Sequence, residues 1–214
     1  MKSGAPSRST NPYMLVALAA VLLAAAMLIM YIANRPPGDD STEAGFARDM
    51  SVHHAQAVEM AGIVRLRTED PDIRSLATDI VLTQQAQIGR MQGWLDVWNL
   101  SPTGAEPRMA WMGHSVSGRM PGMASQKDVN RLETLPPDEA DTLFLRLMIP
   151  HHKAAIPMAQ AARDDSDQAP VERLADSIIV SQKSEIEAMQ DMLKDRDIPP
   201  AKETPKMNMD SMDH

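Results

Sequence analysis

Residues 46–61 read FARDMSVHHAQAVEMA and residues 144–159 read FLRLMIPHHKAAIPMA. They share the pattern F-x-R-x-M-x-x-H-H-x-x-A-x-x-M-A at an offset of 98 residues. The register then continues without a gap, so that 46–95 aligns with 144–193 and 17 of the 50 columns are identical. Past the histidines both copies carry L-A-x-x-I-x-x-x-Q-x-x-x-I-x-x-M-Q-x-x-L, starting at Leu76 and Leu174. A repeat of this length is one supersecondary unit written twice.

Each copy reads as two helices. The first breaks at Thr68-Glu69-Asp70-Pro71, where Asp70 suits an N-cap and Pro71 a first helical residue. The second breaks between Asp164 and Pro170. No stretch alternates as a strand would. Helices near 42–67, 71–98, 138–164 and 170–196 make two antiparallel hairpins, and one hairpin cannot bury its own apolar stripe. The expected fold is all-α: a four-helix bundle over 42–198, built of repeat 1 (46–95) and repeat 2 (144–193) about an internal pseudo-twofold axis. The Pro/Gly-rich connection, 99–137, is long enough to be either functional or disordered. The polar segment 199–214 reads as a disordered tail with Met207, Met209, Met212 and His214.

Ahead of the bundle, Tyr13 to Ala33 is uncharged and rich in Leu, Ala, Met and Val. Its length as a helix is roughly 30 Å, one hydrocarbon thickness. Tyr13 and Tyr31 stand near its ends, as interfacial aromatics do. A cleaved signal has a shorter apolar region, and no small-residue cleavage site follows the stretch, whose next residues are Asn34-Arg35-Pro36-Pro37. An uncleaved single-pass membrane anchor at 13–33 is expected. Residues 1–12, with Lys2 and Arg8 and no acid, lie on the cytoplasmic side. A linker, 34–41, then leads to an extracytoplasmic bundle.

The chain has 214 residues, 21 basic against 29 acidic, and a net charge of -8, which speaks against nucleic acid as a partner. It contains no cysteine, so disulfides, thiolate metal sites and thiol nucleophiles are absent. It contains 18 methionines against 2 Phe, 2 Tyr and 3 Trp. Thioethers pack well in irregular cores, and they are also soft metal ligands.

At 100° per residue, Met50, His53, His54, Ala57 and Met60 fall within about 120° of arc, the width of a core-facing stripe. Met148, His151, His152, Ala155 and Met158 repeat the placement, and Met91 and Met189 join the stripes of the following helices. Imidazoles buried without partners cost on the order of 1–3 kcal/mol each, so they need hydrogen bonds, water or a metal. Imidazole with thioether suits Cu(I) or Ag(I), and zinc less well. The ten residues Met50, His53, His54, Met60, Met91, Met148, His151, His152, Met158 and Met189 are the candidate metal ligands. Met60 is seven residues from His53, about 10 Å along one helix, too far to share an ion with it. Adjacent histidines diverge by about 100°, so one of each pair can ligate while the other faces a neighbouring helix. Core packing alone accounts equally well for the outer methionines. Gln84 and Gln182 are expected to bond between helices or to hold an imidazole, and Pro157 to kink its helix. Met109, Met112, His114, Met120 and Met123 in the connection form a looser soft-donor set.

No Glu has a His three positions later, and neither H-E-x-x-H, G-x-S-x-G nor a phosphate-cradling glycine loop occurs, so nothing nominates a nucleophile or general base.

The doubled H-H-x-x-A-x-x-M-A, with M-I-P-H-H in the second copy and M-P-G-M before it, resembles the domain of unknown function 305 family over about residues 41–196. The resemblance implies a ferritin-like four-helix bundle, often exported, in a family that includes copper-binding proteins of the CopM type. It implies copper ligation by Met50, His53, His54 and Met60, and by Met148, His151, His152 and Met158. The sequence therefore reads as a membrane-anchored, extracytoplasmic protein that sequesters Cu(I) or Ag(I) or confers copper resistance, and not as an enzyme. A copper-dependent redox enzyme and a metal-free structural or adaptor bundle are the alternatives.

Overall fold

The computed structural model describes residues 11–33 and 35–198. The tail at 199–214 and the charged N-terminal residues Lys2 and Arg8 lie outside the described residues. Among those described there are six α-helices and no strand. Helix α1, Pro12–Ala33, starts at Asn11, whose side chain accepts the Tyr13 N–H at 3.1 Å. The side chains from Tyr13 to Met30 are apolar and exposed, and this is the one described helix long and apolar enough to cross a membrane. Such a helix serves as a span or as an export signal.

The second unit holds α2 (Thr42–Arg67), α3 (Pro71–Val97), α4 (Gln126–Thr134), α5 (Pro137–Asp165) and α6 (Ala169–Asp195). Each repeat is an antiparallel hairpin, α2 on α3 and α5 on α6, and the hairpins meet along α2 and α5. The termini are written in the sequence. Ser41 caps α2 by accepting the Ala44 N–H at 3.2 Å. Asp70 caps α3 through the Asp72 and Ile73 N–H groups, with Pro71 in the first turn. Helix α5 continues through Pro150 and Pro157. Pro157 and Lys153, whose carbonyl it leaves unpaired, are on the exposed side, where water can take up the bond.

The core divides into two apolar clusters. One joins the C-terminal half of α2 (Ala57, Met60, Val64) to the N-terminal half of α5 (Phe144, Met148). The other joins the N-terminal half of α2 (Phe46, Met50) to the C-terminal half of α5 (Ala155, Met158). The two helices therefore run antiparallel, and the pseudo-twofold axis passes between their histidine pairs.

The same symmetry ties the ends of the bundle. Thr68, in the α2–α3 turn, donates its hydroxyl to Asp141 Oδ2 at 2.7 Å, in the first turns of α5. Ser166, in the α5–α6 turn, donates to Glu43 Oε1 at 2.8 Å, in the first turn of α2. Each hairpin's turn is thus latched to the other hairpin's first helix by a buried hydroxyl–carboxylate bond, at positions that match in the repeat.

The connection is more ordered than its composition implies. It contains a short 3-10 turn at Ala110–Met112 and helix α4, capped by Ser125, which accepts the Asp128 N–H at 3.1 Å and donates to Asp128 Oδ2 at 2.6 Å. Only Val129 and Leu132 of α4 are buried, too few for a visible helical period.

The latches are not equally replaceable. Glu43 Oε1 also accepts the Asp167 N–H at 3.0 Å, whereas Asp141 has only the Thr68 hydroxyl and its Oδ1 is buried without a partner. Removing the sole donor to a buried carboxylate costs about 1–3 kcal/mol. Thr68→Val is expected to lower stability by that amount in denaturant titration and Ser166→Ala by clearly less; equal losses would contradict the asymmetry.

Candidate metal centre

All four motif histidines, His53, His54, His151 and His152, are completely buried, as are Met50, Met60, Met91, Met148 and Met189, with Met158 1 % exposed. The antiparallel crossing explains the grouping. His53 and His151 meet across the axis, ring centroids 3.9 Å apart and tilted by 40°. His54 and His152 turn away, each to its own hairpin's second helix. His54 Nε2 lies 2.8 Å from Gln87 Oε1 on α3, and His152 Nε2 lies 2.6 Å from Glu185 Oε2 on α6.

The methionines flank this imidazole layer on both sides. Met50, Met91 and Met158 belong to one apolar cluster, and Met148, Met189 and Met60 belong to the other. The repeat maps one trio onto the other. Met60 shares no turn with His53, as its spacing predicts, but the crossing places it in the cluster of Met148, one turn from His151. That pairing is between copies, so it is invisible within either.

Three of the four rings have their tautomer fixed by an acceptor. His53 Nε2 faces the Pro121 carbonyl at 3.2 Å, His54 the Gln87 amide oxygen and His152 a carboxylate oxygen. Each Nε2 is therefore the donor, and in the neutral rings of His53 and His54 Nδ1 keeps its lone pair. Those Nδ1 atoms are buried without a protein partner, as are both ring nitrogens of His151 and both amide atoms of Gln84 and Gln182. The expectation that Gln84 and Gln182 bond between helices or hold an imidazole is thus corrected: residues 87 and 185, three positions on, fill that role. Gln87 and Glu185 differ between the copies, so identity across the repeat gave no signal for them.

Burial keeps the rings of His53, His54 and His151 neutral near neutral pH. Burial lowers His53 to about 4, with the Pro121 bond opposing and His152 adding to the fall. Burial, then the charge of His53, lowers His54 to about 3 against the bond it donates to Gln87. His151 falls well below the ordinary value through burial and then its imidazole neighbours. Neutral imidazoles with unpaired Nδ1 atoms, bracketed by thioethers, fit a soft cation. Among the described residues no group of three or more His, Cys, Asp or Glu side chains is arranged to hold one ion, so any ion here draws its remaining donors from thioether, amide or water.

The connection reaches the layer through the Met120-Pro121-Gly122-Met123 turn. Gly122 has φ +75°, and a Cβ there would lie 2.6 Å from both the Pro150 carbonyl oxygen and Ala154 Cβ on α5. Only glycine allows this approach, which sets the Pro121 carbonyl on His53. Gln56 of α2 clasps the next residue, accepting the Ala124 N–H at 2.7 Å and donating to its carbonyl at 3.1 Å. Met109 and Met120 are buried in the Met50 cluster, with Met112 and Met123 packed against it. His114 stays apart, near the Met112 carbonyl at 3.3 Å.

These features define a pseudo-symmetric helical bundle with an imidazole layer between thioether trios. Residues 43–193 match the family described as Domain of unknown function (DUF305), and the chain belongs to it. A DUF305 protein from Streptomyces coelicolor, solved by crystallography, is 44 % identical with a TM-score of 0.74, covering 78 % of this chain and 100 % of its own. CopM in its Cu(I)-bound form is 25 % identical with a TM-score of 0.56, covering 75 % of this chain and 98 % of its own, and CopM structures with Cu(II) and Ag are similar as well. A 51-residue stretch is 41 % identical to an uncharacterized protein of Acanthamoeba polyphaga mimivirus, covering 24 % of this chain and 34 % of that protein, so the match spans about a third of that relative's length.

Two outcomes follow. The unfolded rings titrate near 6.5, the folded ones at about 4 and 3, so between these values the unfolded chain binds more protons and stability falls as pH falls. The melting temperature of metal-free protein is expected to be level above about pH 7 and to drop steeply between pH 6.5 and 4; a flat profile there would contradict neutral buried rings. Gly122→Ala is expected to cost about 1–3 kcal/mol in unfolding experiments, from the left-handed backbone and the contact with α5.

Proposed function

We propose that this protein binds Cu(I) or Ag(I) in the bundle core and sequesters it outside the cytoplasm, tethered by α1 as an uncleaved anchor. The observation that carries the reading is the imidazole layer itself: four buried histidines from two repeats whose Nδ1 atoms have no protein partner. Leaving that many polar atoms unmatched is costly in any core, and a cation bound by them offsets the cost. Each of His53, His54, His151 and His152 supplies a nitrogen. Met50 and Met148, one turn away, supply the nearest thioethers on the same helices, and Met60, Met158, Met91 and Met189 complete the sulfur surroundings. Similarity to CopM, crystallised with Cu(I), Cu(II) and Ag, supports copper as the cargo. Zinc, which prefers nitrogen, oxygen and thiolate donors, gains less from the thioethers.

The full chain in detergent, titrated with Ag(I) or with Cu(I) under reducing conditions, is expected to bind tightly. Replacing all four histidines with alanine is expected to remove that binding while helical content persists; undiminished binding would overturn the core site. Met50→Leu with Met148→Leu is expected to weaken Cu(I) by about tenfold or more and zinc far less, since leucine keeps the volume and removes only the donor. In cells, the chain is expected to stay with membranes after alkaline carbonate extraction, and its release would refute the anchor.

A further inference from the structure

The two repeats treat equivalent histidines differently. His54 and His152 occupy the same repeat position, each buried, each held through Nε2 by the residue 33 positions later. In the first repeat that residue is Gln87, a neutral amide. In the second it is Glu185, a carboxylate whose side chain is 17 % exposed. Both accept the Nε2 proton, so the geometry is the same and the charge is not.

Resting on the metal-binding reading above, we propose that Glu185 is a specificity-determining residue that makes the second repeat the half favouring divalent ions, while the Gln87-held first repeat favours monovalent soft ions. A carboxylate on the Nε2–H raises the electron density at Nδ1 and places a negative charge across the ring from any ion bound there. Coulomb attraction to that charge scales with the charge of the ion, so a divalent ion gains twice the free energy of a monovalent one. The amide of Gln87 orients its ring equally well and supplies no such charge. The layer then presents two unlike centres, one neutral and one charge-compensated, in place of two copies of a single site.

The swap variants isolate the charge. Glu185→Gln keeps an acceptor for His152 and removes only the carboxylate; Gln87→Glu adds one to the first repeat. With Zn(II) as a redox-inert divalent probe and Ag(I) as the monovalent one, Glu185→Gln in the full chain is expected to weaken Zn(II) by about 10–100-fold, the range of such outer-sphere changes. The Ag(I) loss is expected to be about the square root of that, roughly 3–10-fold. Gln87→Glu is expected to raise Zn(II) affinity over Ag(I), and the double swap to restore the wild-type ratio. Equal losses for the two ions, or unchanged ratios in both single variants, overturn the assignment. A wild-type chain that binds neither ion instead overturns the metal-binding reading beneath it. A metal-free readout separates the two: the His152 Nε2–H resonance is expected well downfield of that of His54 and to move toward it in Glu185→Gln. Coincident resonances in the wild type also overturn the assignment.

Discussion

The structure depends on burying four imidazoles inside a helix crossing. Water is displaced from α2 and α5 where they meet, and burial, with the neighbouring imidazoles adding to it, lowers His53 and His54 to about 4 and 3. A buried ring must find a role for each of its nitrogens. At His53, His54 and His152 the protein occupies Nε2 with an acceptor and leaves Nδ1 open. The helices then bring apolar surface above and below: the Met50 and Met148 trios lie on either side of the layer, and alanines at 57 and 155 let the backbones approach.

Symmetry is broken by what the connection needs to hold. Arg48 donates to the Ser101 carbonyl at 2.9 Å and to Asp39, and Asp49 accepts from the Met109 N–H at 2.7 Å and the Trp111 indole at 2.9 Å. Trp111 in turn sits against Gly45, where a Cβ would lie 2.4 Å from its ring. In the second repeat the corresponding positions are Gly45's partner Leu143, an exposed Arg146 and Leu147, none of which clips a loop. The first repeat therefore carries the connection, which covers the Met50 cluster with Met109 and Met120 and reaches His53 through Pro121. The second repeat makes no such clips, and its Glu185 is partly open to solvent beside His152.

Much of this was legible because helices write themselves locally. The ranges of α2 and α3, the Asp70-Pro71 start and the burial of all ten candidate ligands follow from period and capping chemistry that act within a few residues. The pairing of Met60 with Met148 needed the direction of α2 against α5, which no single helix encodes. Gln87 and Glu185 were missed because their function lies in what differs between the copies, while Gln84 and Gln182 drew attention by being identical. Helix α4 escaped because two buried residues make no period, although Ser125-x-x-Asp128 marks its start.

The donor set also bears on where such a centre can work. Thiolates and ordinary histidines lose metal as pH falls because protons compete for the same lone pairs. Thioether sulfur has no proton to take up in water, and His53 and His54 resist protonation until well below the usual imidazole value. On the proposed metal-binding reading, desolvation of His53 and His54 would also insulate the layer's affinity for a soft cation from mild acid. A compartment beyond the cytoplasmic membrane shares the pH of its surroundings, and a metal buffer placed there gains from donors that respond to the ion and not to the proton.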